Sequence, residues 1–275
     1  MLTERRRTNS NLLISIFIVL FGLAFGSFLN VCIARLPRHS SIVRPGSRCP
    51  LCGSPIRAAD NLPLLSWMIL RGRCRNCRSP IPWRYPAVEA ATAALFLLCY
   101  LEFGLTVHAA GMAVLCFLLF GLAVMDAETM RLPNAFTLPG IALGIVYAGL
   151  LPVASPRGHF WNVMASAVLA ATAALIIVII RWAYFLLRHK EGMGLGDAKM
   201  LAMIAAWLGP AQTILTISLG CVAAAVFGLA LIAFAPSGKK TLSARLPFGS
   251  FLCAAAIYGI FAGKPLVQWY LRFFF

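Results

Sequence analysis

The chain has 275 residues, of which 61% are hydrophobic and 12% charged, and its mean hydropathy is +0.86. A soluble domain carries about 25% charged residues, so this composition excludes an ordinary water-soluble enzyme and predicts an all-α polytopic integral membrane protein, its spans helical. The net charge of +16, from 24 Lys and Arg against 8 Asp and Glu, would suggest nucleic acid in a soluble chain. Here the enrichment of cytoplasmic loops in Lys and Arg explains most of it, and no nucleic-acid partner is expected.

Apolar stretches at 12–34, 86–103, 107–125, 135–153, 161–187, 198–209, 211–235 and 247–271 predict about eight transmembrane helices, most near the ~20 residues that cross a bilayer. The stretch 198–209 is short, and Gly209-Pro210 reads as a tight turn after it. Three parts are expected: residues 1–34 with the first helix, a small cytoplasmic loop domain over 35–85, and a seven-helix membrane domain over 86–275. In the first stretch, Gly22 and Gly26 form a Gly-x-x-x-Gly that suits close helix packing. Arg5, Arg6 and Arg7 precede it, but the loop 35–85 holds ten arginines and outweighs them, which places the N-terminus outside. The alternative is a cleaved signal peptide, although no small-x-small cleavage site precedes Arg35. With eight crossings, Arg131, Arg188, Lys190, Lys239, Lys240 and Arg245 share the side of the arginine-rich loop; Arg157 falls opposite.

Within that loop, Cys49-Pro50-Leu51-Cys52 and Cys74-Arg75-Asn76-Cys77 form two C-x2-C knuckles separated by 21 residues. Each knuckle offers two thiolates, and two knuckles make a tetrahedral four-cysteine site with no open position, hence structural rather than catalytic zinc. A reducing cytoplasm favours zinc over the alternative of two disulfides. Metal would also supply folding free energy to about 50 residues with little core of their own. The loop arginines resemble those of nucleic-acid-binding zinc modules, but membrane topology and contact with anionic lipid headgroups account for them.

Only three aspartates occur, and two, Asp126 and Asp197, sit at the edges of apolar segments. A carboxylate beside hydrocarbon is paired, hydrated or functional. Two further crossings separate the segment ended by Asp126 from the one opened by Asp197, so both should lie at the same, cytoplasmic face. Two carboxyls held close share a proton; one can take a proton from water while the other donates to a scissile carbonyl. Asp197 opens a helix, with Lys199 nearby, and Asp126 closes one, so helix polarity suggests Asp197 as base and Asp126 as its protonated partner. Gly192, Gly194 and Gly196 would let the backbone approach a peptide strand closely. The plain alternative is a loop with an N-capping aspartate.

With these residues in view, the chain resembles the type IV prepilin peptidases over nearly its whole length. Gly26-Ser27-Phe28-Leu29-Asn30-Val31 and Arg35-Leu36-Pro37 are similar to that family's first-span signature. The two knuckles follow, then Tyr85-Pro86-x-Val88-Glu89. Asp126 with Leu132-Pro133-Asn134, Gly194-x-Gly196-Asp197-x-Lys199 and Pro247-Phe248-Gly249 resemble its two aspartate motifs and its late Pro-Phe-Gly. The resemblance implies a membrane aspartic endopeptidase of the bacterial inner membrane, with its site facing the cytoplasm. Such enzymes remove the basic leader of prepilins and pseudopilins after glycine, and many methylate the new N-terminus with S-adenosylmethionine. Glu89 and the cysteine module would be where methylation chemistry is sought; the alternative for Glu89 is a structural charge at a helix start.

Asp126, Glu128, Glu191 and Asp197 are half of all the acids in the chain and are expected to form an acidic mouth that accepts a basic leader. The plain alternative for Glu128 and Glu191 is solvated loop charge. A transporter using Asp126 and Asp197 for ion coupling is the competing reading, although coupling carboxylates sit nearer the midplane among broken helices. Nothing in the sequence specifies an oligomeric state.

Overall fold

The computed structural model describes residues 2–152, 158–189, 194–234 and 246–272. Arg157, Lys190, Glu191, Gly192, Lys239, Lys240 and Arg245 lie outside the described residues. Within them regular structure is helical, apart from two isolated bridges, Arg48 with Pro55 and Arg73 with Pro80. Eight α-helices follow in chain order: α1 Leu2–Arg35, α2 Leu65–Ile69, α3 Arg84–Phe103, α4 Val107–Thr129, α5 Asn134–Leu150, α6 Gly158–Arg188, α7 Leu195–Ala233 and α8 Phe248–Leu271.

Among the described residues, five segments are long and apolar enough to cross a membrane: Asn11–Arg38, Arg84–Phe103, Val107–Thr129, Gly158–Arg188 and Leu195–Ala233. Asn134–Leu150 and Phe248–Gly263 are shorter apolar helices. The expected stretches 198–209 and 211–235 run on within α7, but the backbone leaves helical geometry at Gly209 (φ 77°, ψ 178°) just before Pro210. Proline lacks the N–H for the next helical bond and clashes with the preceding turn, so the break falls where Gly-Pro predicts one.

The chain forms two compact units, Met1–Phe117 and Leu118–Phe275. In the first, α1 packs along α3 because two glycines of α1 leave no side chain in the way. A Cβ added at Gly22 would lie 2.6 Å from Ala93 Cα, and one at Gly26 would lie 2.6 Å from Glu89 Cα. Arg35, at the end of α1, ties down the following loop by donating to the carbonyls of Ser41 (2.9 Å) and Gly46 (3.3 Å). α3 can open with Pro86 in its first turn, where no N–H is required, and stops at Gly104 in the left-handed region (φ 68°).

In the second unit, α7 packs against α5, α6 and α8. Its first half is almost entirely buried, from Ala198 to Trp207. Ala173, Ile177, Ala198, Leu201 and Ala205 form a tight cluster where α6 meets it. Against α5, the Trp207 indole donates to the Gly140 carbonyl (2.8 Å) and stacks on Tyr147. From α6, the Ser166 hydroxyl donates to the Ala206 carbonyl (2.9 Å). These contacts fix the N-terminal end of α7, and therefore Asp197.

Candidate active site

One leucine joins the two aspartate motifs. α4 ends at Thr129, Met130 takes a left-handed conformation (φ 51°), and the chain turns into α5 through Leu132. A Cβ added at Gly196 would lie 3.1 Å from Leu132 Cβ, and one at Gly249 would lie 3.3 Å from Leu132 Cδ1. The same added atom at Gly249 would lie 2.9 Å from Asp126 Oδ2. The first turns of α7 and α8 therefore close on the α4–α5 corner only because both carry glycine there.

Asp126 is 5% exposed. Its Oδ2 accepts the Ser250 N–H (2.8 Å) and lies 3.2 Å from the Ser250 hydroxyl, which also donates to the Ala123 carbonyl (2.8 Å). Asp197 is half-buried in the first turn of α7, where its Oδ2 accepts the Gly194 N–H (3.3 Å), the reach-back of a capping box. The Asp126 charge acts on Asp197, and both carboxylates act on the buried thiol of Cys253, whose Sγ lies 3.2 Å from Met200 Sδ. Both carboxyls thus sit at the α4–α5 corner, Asp126 beside Gly249 and Asp197 next in sequence to Gly196, and each glycine packs on Leu132. Such a pair can share a proton and activate a water molecule between them.

Helix polarity does not separate the two as the sequence suggested. Asp126 closes α4, but its carboxyl meets the N-terminus of α8, so each aspartate receives an amide from a helix start. Lys199 is engaged elsewhere: its Nζ donates to Asn134 Oδ1 (2.8 Å), joining the α7 motif to the first residue of α5. Gly196 is crowded by Leu132, whereas Gly194 is open: an added Cβ there would meet only Asp197 Oδ2 at 3.6 Å and the Gly196 amide nitrogen at 3.8 Å. Glu128 is exposed in the last turn of α4, and Glu191 lies outside the described residues. Ser250 was missed by sequence reasoning, although it follows the noted Pro247-Phe248-Gly249 and is a hydroxyl residue in a helix first turn.

Glu89 belongs to the first unit and is 9% exposed. Its Oε2 accepts the Leu64 N–H (2.8 Å), and the Ser27 hydroxyl bonds to the same carboxyl. Asn30 Nδ2 donates to the Tyr85 carbonyl (3.0 Å). Three signature pieces, Gly26 to Asn30, Tyr85 and Glu89, therefore meet at one helix crossing.

The four cysteines converge as their spacing predicts, with the Sγ atoms of Cys49, Cys52, Cys74 and Cys77 all within 4.8 Å of one another. The two knuckles repeat one pattern. Cys49 N–H donates to the Ser54 carbonyl and Gly53 N–H to the Cys49 carbonyl; Cys74 with Ser79 and Arg78 with Cys74 do the same. The Cys49–Cys77 separation of 3.8 Å matches the tetrahedron edge of about 3.8 Å that Zn–S bonds of about 2.3 Å require. Backbone amides of Cys52 and Leu51 hold the Cys49 thiol down to about 6, toward the thiolate that binds metal. The Ser79 hydroxyl lies 3.1 Å from Cys77 Sγ, and Asn76 donates to Ser54 Oγ (2.8 Å). The donor set and its spacing fit a four-coordinate zinc.

Residues 20–103 match the Bacterial Peptidase A24 N-terminal domain, and residues 113–229 match the Type IV leader peptidase family. The chain is similar to the prepilin leader peptidase/N-methyltransferase of Aeromonas salmonicida, with 34% identity covering 92% of each chain. It is similar to that of Burkholderia pseudomallei at 35% identity, over 90% of this chain and 85% of that one. Pseudomonas aeruginosa has a relative of the same name at 33% identity, over 93% and 92%. No solved structure matches the chain.

Proposed function

Because the chain belongs to the type IV leader peptidase family, we propose that it is a bifunctional membrane enzyme, an aspartic endopeptidase for prepilins and pseudopilins and an N-methyltransferase for the end it exposes. What supports the hydrolytic half is the packing of Gly196 and Gly249 on Leu132, which sets Asp197 and Asp126 at one corner of the fold. One carboxylate takes a proton from water, the water oxygen attacks the carbonyl carbon of the glycine, and the other carboxyl protonates the carbonyl oxygen. Collapse of the tetrahedral intermediate breaks the C–N bond as the first carboxyl passes its proton to the leaving amine and the second takes one back from the intermediate's hydroxyl. Ser250 holds Asp126 and the Gly194 amide holds Asp197, so neither carboxyl has to find its position during the reaction.

The protein works in the bacterial inner membrane with this site at the cytoplasmic face, the α7 break at Gly209 allowing eight crossings in all. Residues 35–85 form its zinc-bound cytoplasmic module, held by Cys49, Cys52, Cys74 and Cys77, between the first helix and the membrane domain of 86–275. Glu128 and Glu191 add negative charge near the pair and favour a basic leader. S-adenosylmethionine supplies the methyl group when bound. Ion coupling through the same aspartates is the weaker reading, since both halves of the chain match peptidase-family domains.

The test is to incubate the full-length protein in detergent with a prepilin, with and without S-adenosylmethionine, and to read product mass. Asp126→Asn and Asp197→Asn should each lower cleavage by about 10²- to 10⁴-fold while a pre-cleaved substrate is still methylated. Near-normal cleavage by either variant would refute the pair.

A further inference from the structure

Between the two cysteine knuckles, the short helix α2 turns an apolar stripe outward. The Ser66 hydroxyl donates to the Ala59 carbonyl (3.1 Å) and the Trp67 indole to the Ile81 carbonyl (3.2 Å), so these two side chains face the interior of the loop. Leu65, Met68 and Ile69, three and four residues apart and therefore on one side of the helix, are 52%, 60% and 72% exposed. Leu62, a turn earlier, is exposed as well. Two exposed arginines, Arg71 and Arg73, follow on either side of the buried Gly72. A contiguous apolar face with a polar rim marks an interaction surface.

Two bonds fix the height of this face against α3. The Leu64 N–H donates to Glu89 Oε2 (2.8 Å), inside α3, while Trp67 is tied to Ile81, just before α3 begins. Gly72 closes on the same indole, since an added Cβ there would lie 3.0 Å from the ring. α3 has 20 residues, roughly 30 Å at the helical rise, which matches the hydrocarbon core of a bilayer. Its Arg84 end therefore lies at the membrane boundary, and the Glu89 side chain leans toward that end, as helical side chains do. α2 is thus pinned just below and just above the level where a membrane surface meets α3. Trp83, at the same level, is 75% exposed, as suits an indole in the interfacial belt.

We propose that Leu62, Leu65, Met68 and Ile69 insert at the boundary between headgroups and acyl chains of the adjoining leaflet, with Arg71 and Arg73 on the phosphates of anionic phospholipid. Amphipathic helices lie in the membrane plane in this way, and a guanidinium takes phosphate oxygens in pairs. A protein partner on this face would require no tie to the depth of α3, whereas a lipid surface does. α2 then holds the loop 35–85 against the bilayer at a third point, besides α1 and α3. The proposal rests on α3 crossing the membrane, and the leaflet is the cytoplasmic one in the orientation given above.

The test places the full chain in nanodiscs of equal parts phosphatidylglycerol and phosphatidylcholine and reads the mass of photo-adducts from Ile69→p-benzoylphenylalanine and Leu98→p-benzoylphenylalanine. Leu98 is 47% exposed within α3 and reports whether that helix meets lipid at all. Lipid adducts are expected from both positions, and those at 69 should be enriched in phosphatidylglycerol about five-fold for each arginine engaged. Arg71→Gln with Arg73→Gln should remove that enrichment; an unchanged enrichment refutes the phosphate contact. Ile69→Asp should lower the thermal midpoint in nanodiscs, whereas a position facing water would tolerate it, so an unchanged midpoint refutes insertion. Lipid adducts from 98 with none from 69 overturn the proposal and leave α3 in the membrane. Adducts from 69 to a second copy of the chain, or to an added prepilin, overturn it in favour of a protein contact. If neither position meets lipid, the membrane reading of α3 falls and takes the proposal with it.

Discussion

Replacing Gly249 by alanine tests the geometry of the aspartate pair without touching either carboxyl. The new methyl carbon would stand 2.9 Å from Asp126 Oδ2, 3.1 Å from its Cγ and 3.3 Å from Leu132 Cδ1. Carbon contacts settle at about 3.5 Å, so the carboxyl must retreat by roughly half an ångström or α8 must shift outward. Asp126 has little freedom to do so, because Oδ2 is held at 2.8 Å by the Ser250 amide and its surroundings are buried. A misplacement of about 1 Å costs up to about 10²-fold in rate; half of that predicts a loss of roughly 10-fold in kcat, with KM little changed. The assay is prepilin cleavage followed by mass, with circular dichroism to confirm folding. Gly46→Ala is the control, since nothing lies within 4 Å of an added Cβ there. Cleavage by Gly249→Ala at the wild-type rate would show that the position of Asp126 against α8 does not matter, and the reasoning would fail.

Two further outcomes are expected. Gly26→Ala would put a methyl 2.6 Å from the Glu89 Cα, a backbone atom that cannot swing away, so α1 and α3 must part at a cost of about 1–3 kcal/mol; a lowered thermal midpoint in detergent checks it, and an unchanged one counts against the helix crossing. Purified protein should carry one zinc per chain by metal analysis, and stripping it with a chelator, or introducing Cys52→Ser, should open residues 35–85 to proteolysis; an unchanged cleavage pattern in metal-free protein would remove zinc from the folding of that loop.

Local patterns were legible in the sequence, and partnerships across the chain much less so. The cysteine spacing specified a four-thiol cluster because each knuckle closes through its own backbone hydrogen bonds. Gly22 and Gly26 were legible as a packing face because the four-residue period belongs to one helix. The break at Gly209-Pro210 was legible as a turn from two residues, because glycine permits the positive φ and proline cannot continue the helical bonding. By contrast, Lys199 looked like a neighbour of Asp197, and its bond to Asn134 needed the turn at 130–133 to be known. Asp126 was placed at a helix end correctly, but the amide that meets it comes from Ser250, 124 residues later. Gly196 suggested room for a peptide strand, and the space is occupied by Leu132. Asn30 and Glu89 were visible as signature residues, while the crossing that joins them appears only once α1 and α3 pack together.

The dependence of Asp126 on Ser250 has a consequence for biogenesis. A ribosome-bound chain that has emerged only as far as α7 already contains both acidic residues, yet the group that aims one of them is still unsynthesised. On the proposed mechanism, proteolytic competence would await the closing helix, since a product that ends before Ser250 carries Asp126 without its amide partner.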